Sequence, residues 1–490
     1  MRSITESPAS RPVTRVFGAT VVLILLAAFT GCATVGREPP APVEDALRQA
    51  GVSRQSLAVV AFPIDAPATG LRLNADQPMQ PASTMKLITA AVALDRLGPN
   101  SRGRTELLID GTVRDGRLGA PLYLKGGADA DLDWSALWLM LRDLRERSGV
   151  QSLEGGIVVD RSLFNPSRPE LGLPPFDEQP EFPYNVIPDA LNLNGTLLSY
   201  EIRSEDSTLR ATAFPAFGGA EIDASAMTLN DKACRDWEDG WQQPDLQVAA
   251  SGMPRLVLRG EFPRQCVISQ RLNVMDRQWL TAQALRQLWT SLGGTITGDI
   301  REGATPPGAR TVALHQDRPL AELLRPVMKS SDNATTRLIF NRLGASAAQP
   351  GEETRASAAR VVRDWFSAQG VDSTGLVLDN GSGLSRAERV TAQQMAGLLL
   401  AAHRGRQGPE LLATLPVAGV DGTLSRRMKG TAAEGRARLK TGTLRNVVAL
   451  AGYVPDARGR LWIVATMIND EQAAKARPAI DALIDWVARQ

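Results

Sequence analysis

The sequence predicts a mixed α/β protein whose principal domain is split in sequence around a mostly β insertion. Helical and strand-like segments alternate near both ends of the chain, whereas short β-like runs between Gly, Pro and charged turns dominate its middle. The chain has 490 residues, which is enough for more than one folding unit. A hydrophobic content of 43% is ample for large cores.

The first segment is predicted to be an export signal rather than part of the fold. Basic residues precede an apolar run over residues 16–29, which is too short to span a bilayer but suits the core of a signal peptide. The run ends in Phe29-Thr30-Gly31-Cys32, which resembles the cleavage site of bacterial lipoproteins, where the cysteine becomes the lipidated first residue. We therefore expect a signal peptide over residues 1–31 and a lipidated, proline-rich tether over residues 32–42. Simple secretion with cleavage nearby is the alternative.

The first part of the principal domain is assigned to residues 43–103. A strand-like run over residues 55–63 is followed by turns that lead to a helix from Ser83 to about Gly98. The insertion, as one domain or several, is assigned to residues 104–298. Its predicted elements are a hairpin over 107–124, a helix over 134–147, a strand over 156–159, short β-like runs over 192–268 and a helix over 275–292.

The second part of the principal domain is assigned to residues 299–490, where helical and strand-like segments alternate again. The predicted helices cover residues 319–328, 354–368, 391–403 and 473–489, and the predicted strands cover 450–454 and 461–468. Because the same alternation occurs on both sides of the insertion, we expect the two parts to form one domain.

Charge and cysteine content narrow the classes of partner and cofactor. The 55 basic and 53 acidic residues nearly balance, which gives no case for a nucleic-acid partner. Apart from Cys32, the cysteines are Cys234 and Cys266, an even pair of the kind that commonly forms a disulfide in an oxidising compartment. Two thiols do not make a zinc site, and no histidine lies between them, so neither a metal nor another cofactor is predicted.

The motif Ser83-Thr84-Met85-Lys86 carries the principal chemical signal. Positions three apart on a helix share a face, so Lys86 is expected one turn from Ser83 and beside its hydroxyl. A serine hydroxyl is a poor nucleophile until a neighbouring base takes its proton. The two histidines, His315 and His403, lie in no motif, which favours a serine–lysine pair over a Ser-His-Asp triad. Alone, the pattern also fits an ordinary helix start.

Two further motifs follow in order, Ser331-Asp332-Asn333 and Lys440-Thr441-Gly442-Thr443. Taken singly, the first resembles a turn or helix cap and the second a solvated strand start. Their occurrence together with Ser83 and Lys86 favours an acyl-transfer site. Lys86 can accept a proton only while neutral, and burial together with the second cation Lys440 would lower its pKa.

The remaining motif residues have expected roles around this pair. Ser331 is expected to relay a proton to the leaving amine, and Asn333 to hold Lys86 and a substrate amide. Lys440 and Thr441 are expected to bind a terminal carboxylate, and Gly442 to let an extended peptide lie close to the strand. The backbone N–H groups of Ser83 and Thr443 are the expected oxyanion hole.

In combination, the three motifs resemble the signature of β-lactamases and penicillin-binding proteins. Three other stretches make the chain most similar to the class C low-molecular-mass penicillin-binding proteins, the D-alanyl-D-alanine carboxypeptidase/endopeptidases. They are Leu124-Lys125-Gly126-Gly127, Asp379-Asn380-Gly381-Ser382-Gly383-Leu384-Ser385-Arg386 and Gly419-Val420-Asp421-Gly422-Thr423-Leu424. The resemblance runs from about residue 46 to 490, and it implies a penicillin-binding-protein/β-lactamase-like serine domain carrying inserted domains, in the bacterial periplasm.

This resemblance also implies substrates, inhibitors and binding residues. The substrates would be peptidoglycan stem peptides, cut at a terminal D-Ala-D-Ala bond or at a D-Ala-diaminopimelate cross-link, and β-lactam antibiotics would be covalent inhibitors. By motif position, Arg386 would hold the side-chain carboxylate of diaminopimelate and Asp160 its ammonium group. For Asp160, an ordinary turn residue is the alternative.

Two other functions remain open at this point. A β-lactamase-like hydrolase would share the nucleophile but needs a base for a deacylating water, and no motif identifies one. A catalytically idle wall-binding lipoprotein could keep the fold. Five intact residues argue against it, since an idle protein has no chemical reason to keep them all: Ser83, Lys86, Ser331, Asn333 and Lys440.

Overall fold

A computed structural model describes residues 35–36, 38–171, 179–214, 220–248 and 253–490. The predicted signal peptide and the lipidation site at Cys32 lie outside these residues. Among the helices of the described residues, none combines the length and apolar character that crossing a bilayer requires.

The main sheet has six strands and combines segments from the two ends of the chain. Its central strands pair antiparallel, and they are buried along almost their whole length. In spatial order the strands are Val35–Gly36, Gly70–Leu73, Leu57–Pro63, Leu461–Asn469, Val447–Pro455 and Arg438–Leu444. Since Arg438–Leu444 is the last strand in this order, one of its edges is not paired within the sheet.

Helices cover both faces of the main sheet. Alternate side chains of Leu57–Pro63 point to opposite faces, so Val60 and Phe62 enter one core and Val59 and Ala61 the other. The first core is covered by Lys86–Arg96, Leu320–Ser330, Asn333–Ala345, Thr354–Ala368, Ala392–Arg404 and Gly408–Thr414. The second is covered by Ala41–Ala50 and Arg477–Ala488.

The structure therefore confirms the predicted fold class, a split α/β domain with a mostly β insertion. The helix Lys86–Arg96 is buried from Lys86 through Leu94, as its apolar sequence requires. A 3₁₀ turn, Ala82–Met85, precedes it, so the helix predicted from Ser83 begins three residues later.

The sequence does not predict the helix Asn333–Ala345. Two buried arginines interrupt its apolar periodicity. Arg337 donates to the carbonyls of Asn185 and Val186 at 2.9 and 2.8 Å, and Arg342 pairs with Asp317 at 3.2 Å. Tertiary contacts thus bury charged positions that a sequence pattern assigns to solvent.

Two sheets form the part of the insertion that adjoins the main domain. The five-stranded sheet has the order Ile300–Glu302, Ile157–Asp160, Leu122–Gly127, Arg104–Ile109 and Arg310–Gln316. The four-stranded sheet has the order Thr295–Ile296, Ser152–Leu153, Arg117–Leu118 and Val113–Arg114. The helices Trp134–Ser148 and Arg277–Ser291 pack with these sheets around one core. Two strands of the five-stranded sheet, Ile300–Glu302 and Arg310–Gln316, lie in the stretch that the sequence analysis assigned to the second part of the principal domain. The boundary expected at residue 298 stays a prediction.

Two three-stranded sheets make up the rest of the insertion. One has the order Leu209–Ala213, Leu198–Ser204 and Val267–Leu272, and the other Glu221–Asn230, Pro254–Pro263 and Trp241–Val248. Cys234 and Cys266 are joined in a disulfide beside the core that these sheets share.

Replacing both Cys234 and Cys266 by serine should destabilise this part of the insertion and leave the main sheet intact. The disulfide closes a loop with a sequence separation of 32, and a loop of that size is worth about 3–4 kcal/mol in the chain-entropy account. Hydrogen exchange should show faster exchange in Leu198–Ser204 and Val267–Leu272, with Val447–Pro455 unchanged. A Cys32→Ser variant is the control. Equal exchange rates of these two strands in the control and in the double-serine variant would contradict the prediction.

Candidate active site

Ser83 lies in a tight turn at the start of the buried helix Lys86–Arg96. The preceding residue, Ala82, has φ of +46°, in the left-handed region that non-glycine residues rarely adopt. Thr84 holds the turn, because its N–H and its hydroxyl both donate to the carbonyl of Pro81, at 3.2 and 2.7 Å. The serine hydroxyl is therefore presented on a fixed backbone.

Two distant glycines let other segments pack against this turn. A Cβ on Gly383 would lie 1.8 Å from the carbonyl oxygen of Ala82, and one on Gly442 would lie 2.6 Å from that of Pro81. Only a residue without a side chain fits such distances. The loop around Gly383 and the strand Arg438–Leu444 thus both lie beside Ser83.

The amine of Lys86 joins three separate segments. It is fully buried, and its Nζ lies 3.1 Å from Ser83 Oγ, 2.6 Å from Asn333 Oδ1 and 2.6 Å from the carbonyl of Ser382. In the ammonium form these contacts use all three N–H donors, whereas in the neutral form two N–H groups serve Asn333 and Ser382 and the lone pair can accept from the Ser83 hydroxyl. The sequence predicted the contacts with Ser83 and Asn333 but not the one with Ser382.

The environment of Lys86 favours its neutral form. Burial is the largest effect and lowers its pKa well below the usual 10.5, and the positive charge of Lys440 lowers it further. The negative charge of Glu388 acts in the opposite direction. An amine that readily gives up its proton and lies within hydrogen-bond distance of a serine hydroxyl can serve as a general base.

Glu388 fixes the loop that supplies the Ser382 carbonyl. It is fully buried, and its Oε1 accepts from the N–H groups of Gly381, Asn380 and Asp379 at 2.8, 3.1 and 3.3 Å. Burial raises the pKa of Glu388. Sequence reasoning missed this residue, because its partners are backbone groups and no side-chain pattern marks them.

Ser331 and Asn333 are held by a turn between two helices. Ser331 follows the helix Leu320–Ser330 and has φ of +65°, while Asp332 caps the next helix by accepting from the N–H of Thr335 at 3.1 Å. The side chains of Ser331 and Asn333 therefore contact different lysines.

Lys440 is the lysine that contacts Ser331. Its Nζ donates to Ser331 Oγ at 2.8 Å and to the carbonyl of Thr441 at 2.9 Å. Burial lowers the pKa of Lys440 to about 7. The structure thus brings the predicted residues into two adjoining pairs, Ser83 with Lys86 and Ser331 with Lys440, and Asn333 touches the first pair.

Thr441 has a partner that the sequence analysis did not single out. Its hydroxyl donates to the hydroxyl of Thr423 at 2.7 Å, and Thr423 lies within a stretch that carried the family resemblance. The preceding Asp421 is tied to Lys329 by an ion pair and accepts from the N–H of Val417 at 2.8 Å. Two hydroxyls beside a buried lysine amine suit a carboxylate ligand.

The edge strand Arg438–Leu444 runs past these groups. Gly442 is buried against the serine turn, and Thr443 is exposed. An unpaired strand edge can hydrogen-bond an extended peptide. The use of the N–H groups of Ser83 and Thr443 as an oxyanion hole stays a prediction.

The two remaining predicted residues lie apart from the buried cluster. Arg386 follows Gly383 by three residues, and its exposed guanidinium has no hydrogen bond or ion pair with any residue that the structure describes. Asp160 ends a strand of the insertion and is 1% exposed, and its two oxygens accept from the N–H groups of Ser162 and Thr305 at 2.9 and 2.8 Å. These contacts fit the alternative of a turn residue. A ligand-binding role for Asp160 stays a prediction.

Known proteins are similar to this chain in both sequence and fold. Residues 40–490 match the model of the D-Ala-D-Ala carboxypeptidase 3 (S13) family. A D-alanyl-D-alanine carboxypeptidase of Actinomadura sp. (strain R39) is 31% identical over 437 residues, covering 85% of this chain and 78% of that protein. The D-alanyl-D-alanine carboxypeptidase DacB of Haemophilus influenzae is 26% identical, covering 80% of each chain.

Among solved structures, penicillin binding protein 4 (dacB) from Haemophilus influenzae has the same fold. The TM-score is 0.73 at 23% sequence identity, and the match covers 91% of this chain and 99% of that one. The same protein complexed with a β-lactam matches with a TM-score of 0.71.

The rate at which Ser83 is acylated should rise with pH as Lys86 loses its proton, with a midpoint well below the usual lysine pKa. Lys440→Met removes a neighbouring positive charge that disfavours protonated Lys86. The midpoint should therefore move to higher pH, whatever the variant does to the maximal rate. The measurement is the pH profile of acylation by a chromogenic acylating ester. Lys475→Met, which removes an exposed lysine, is the matched control. A midpoint that stays in place or moves to lower pH in Lys440→Met would contradict this assignment.

Proposed function

The chain belongs to the D-Ala-D-Ala carboxypeptidase 3 (S13) family, and on that premise we propose that it is a serine D,D-peptidase of peptidoglycan. It would cleave the terminal D-Ala-D-Ala bond of stem peptides, the D-Ala-diaminopimelate bond of cross-links, or both, through an acyl-enzyme. The observation that carries the proposal is the contact of Lys86 Nζ with Ser83 Oγ at 3.1 Å and Asn333 Oδ1 at 2.6 Å, in a site where burial lowers the pKa of Lys86.

Acylation begins with proton transfer from Ser83 to neutral Lys86. The Oγ atom then attacks the carbonyl carbon of the penultimate D-alanine, and the carbonyl oxygen becomes an oxyanion held by the N–H groups of Ser83 and Thr443. Collapse of the tetrahedral intermediate breaks the peptide bond. The proton that Lys86 took from Ser83 passes to the leaving amine with the Ser331 hydroxyl as the relay, so Lys86 is neutral again and Ser331 keeps its proton. The Ser331 hydroxyl is held 2.8 Å from Lys440 Nζ. Water then hydrolyses the ester on Ser83.

The terminal carboxylate of the substrate is assigned to Lys440 and Thr441. The amine of Lys440 supplies positive charge, and the hydroxyls of Thr441 and Thr423 supply directed hydrogen bonds, 2.7 Å apart in the free site. Because burial lowers the pKa of Lys440 to about 7, a bound carboxylate would also stabilise its charged form.

β-Lactams are expected to acylate the same serine, and the resulting acyl-enzyme is expected to be hydrolysed slowly. A β-lactamase needs a carboxylate or another base that can activate water beside the ester. Glu388, a buried carboxylate whose charge acts on Lys86, has its Oε1 atom engaged by three backbone N–H groups of the loop 379–381. The Haemophilus influenzae protein, which has the same fold, is known in complex with a β-lactam, and this supports binding of the same inhibitor class here.

We also propose a periplasmic location, where this substrate class lies. Attachment to a membrane through a lipidated Cys32 remains a prediction from the cleavage-site sequence. A disulfide between Cys234 and Cys266 is consistent with an oxidising compartment.

Labelled penicillin should form a stable covalent adduct on Ser83, and Ser83→Ala should abolish labelling. The physical reason is that, among the described residues, Ser83 alone has its hydroxyl within hydrogen-bond distance of the buried amine of Lys86. Mass spectrometry of the intact protein and of its peptides gives the site. Ser330→Ala is the matched control, because that exposed hydroxyl bonds only the carbonyl of Pro326 among the described residues and should be dispensable. Labelling of Ser83→Ala, or rapid turnover of penicillin by the unmodified protein, would rule out this function.

Arg386→Ala should slow cleavage of stem peptides that carry the free diaminopimelate carboxylate. A guanidinium can hold a carboxylate through two parallel hydrogen bonds, and a charge-assisted contact is worth roughly 1.5–3 kcal/mol. The expected loss in kcat/KM is about 10- to 150-fold. Acylation by a simple penicillin, and cleavage of a peptide whose side chain ends in an acetylated amine, should change little. Equal losses on all three would mean that Arg386 only supports the loop around Gly383.

A further inference from the structure

A cavity beside Ser331 and Asn333 extends to the insertion. It has a volume of about 550 Å³, and its lining also includes Pro183 and Arg271. A volume of that order holds a ligand well beyond the size of two alanines. Part of a longer substrate can therefore lie between the catalytic residues and the insertion.

A second cavity, of about 830 Å³, continues from the first. Pro183 and Arg271 line both cavities, so they mark the junction between them. The floor of the second cavity is the three-stranded sheet made of Leu209–Ala213, Leu198–Ser204 and Val267–Leu272.

The register of that sheet places Arg271 on its outer face. Leu198, Tyr200 and Ile202 are buried in the core, so the alternate residue Ser199 points to the opposite face. Arg271 is the cross-strand partner of Ser199, and the N–H of Phe214 donates to the carbonyl of Ser199 at 2.8 Å. The ring of Phe214 is 75% exposed. A cation and an accessible aromatic ring thus stand in one row across the sheet.

The guanidinium of Arg271 differs from its charged neighbours around the two cavities. Arg318 forms two hydrogen bonds with Asp131, at 2.7 and 2.8 Å, and Glu201 pairs with Arg203 at 3.1 Å. The guanidinium of Arg271 has no hydrogen bond or ion pair with any residue in the described ranges. Asp133 and Asp332, which line the first cavity, also lack an ion pair there, but both cap helices. In the described lining of the second cavity Glu201 is paired and Arg271 is not, so Arg271 supplies a positive charge that favours an anionic ligand in that cavity.

We propose that Arg271 binds a carboxylate of the stem peptide at a distance from the scissile bond. The second cavity would hold the part of the substrate that carries this carboxylate. This inference rests on the proposed function, since the occupant is part of the same substrate. Phe214 contributes apolar contact beside the carboxylate. Arg271 is thereby a specificity-determining residue that favours long or cross-linked substrates over short ones.

The expected kinetic signature is a change in KM. The carboxylate is far from the reacting carbonyl, so its contact with Arg271 is the same in the ground state and the transition state. Losing such uniform binding raises KM and leaves kcat unchanged. A role in holding the fold would instead lower kcat, thermal stability or penicillin acylation.

The test compares Arg271→Ala with the unmodified protein on three substrates. They are a purified cross-linked muropeptide with free carboxylates, the same muropeptide with its carboxylates amidated, and a short acetylated peptide ending in D-Ala-D-Ala. For the first, KM should rise about 10-fold, the effect of one charge-assisted contact. For the other two, and for penicillin acylation, the variant should match the unmodified protein. Arg271→Lys keeps the charge without the planar fork, so it should restore part of the loss.

Arg210→Ala is the matched control variant. Arg210 is exposed on the same face of the same sheet but lines neither cavity, so its removal should leave KM unchanged on every substrate. The proposal is overturned if Arg271→Ala behaves like Arg210→Ala on the cross-linked muropeptide, or if its losses are equal on free and amidated substrates. Failure of the unmodified protein to cleave any of the three or to bind penicillin would instead overturn the proposed function.

Discussion

The site depends on the hydrogen bonding of one buried amine. Taking an amine out of water without partners is costly, so every donor on Lys86 must find an acceptor inside the protein. Its three hydrogen-bond partners are the hydroxyl of Ser83, the side chain of Asn333 and the carbonyl of Ser382. Satisfying Lys86 therefore brings together three segments that are far apart in sequence, and these segments carry the nucleophile, the turn between two helices and the loop that ends at Arg386.

A second set of buried groups keeps those segments in place. Glu388 holds the loop through three backbone N–H groups, and the glycines at 383 and 442 let the loop and the edge strand approach the serine turn. Two charged groups also act in opposite directions on the pKa of Lys86: Lys440 lowers this pKa and Glu388 raises it. The basicity of the amine is thus set by packing as well as by burial.

The insertion contributes to the site without supplying its reacting groups. Arg337 ties the helix that begins at Asn333 to the carbonyls of Asn185 and Val186, so the insertion is anchored beside the motif. The same arrangement leaves a cavity between the two parts of the molecule. With the reacting groups on the main domain and a binding surface on the insertion, the reaction and the choice of substrate would depend on different parts of the molecule.

The sequence by itself determined the fold class and the family resemblance. It also determined the pairing of Ser83 with Lys86, because positions three apart in one turn must be neighbours whatever the rest of the chain does. The order of the three motifs also indicated which distant residues would meet. Only the tertiary structure revealed Ser382, Glu388 and Thr423 as parts of the site, showed the buried partners of Asp160, and placed Arg271 between two cavities. The physical reason is that backbone acceptors and donors look the same at every residue, and burial of a charged side chain depends on contacts made across the whole fold.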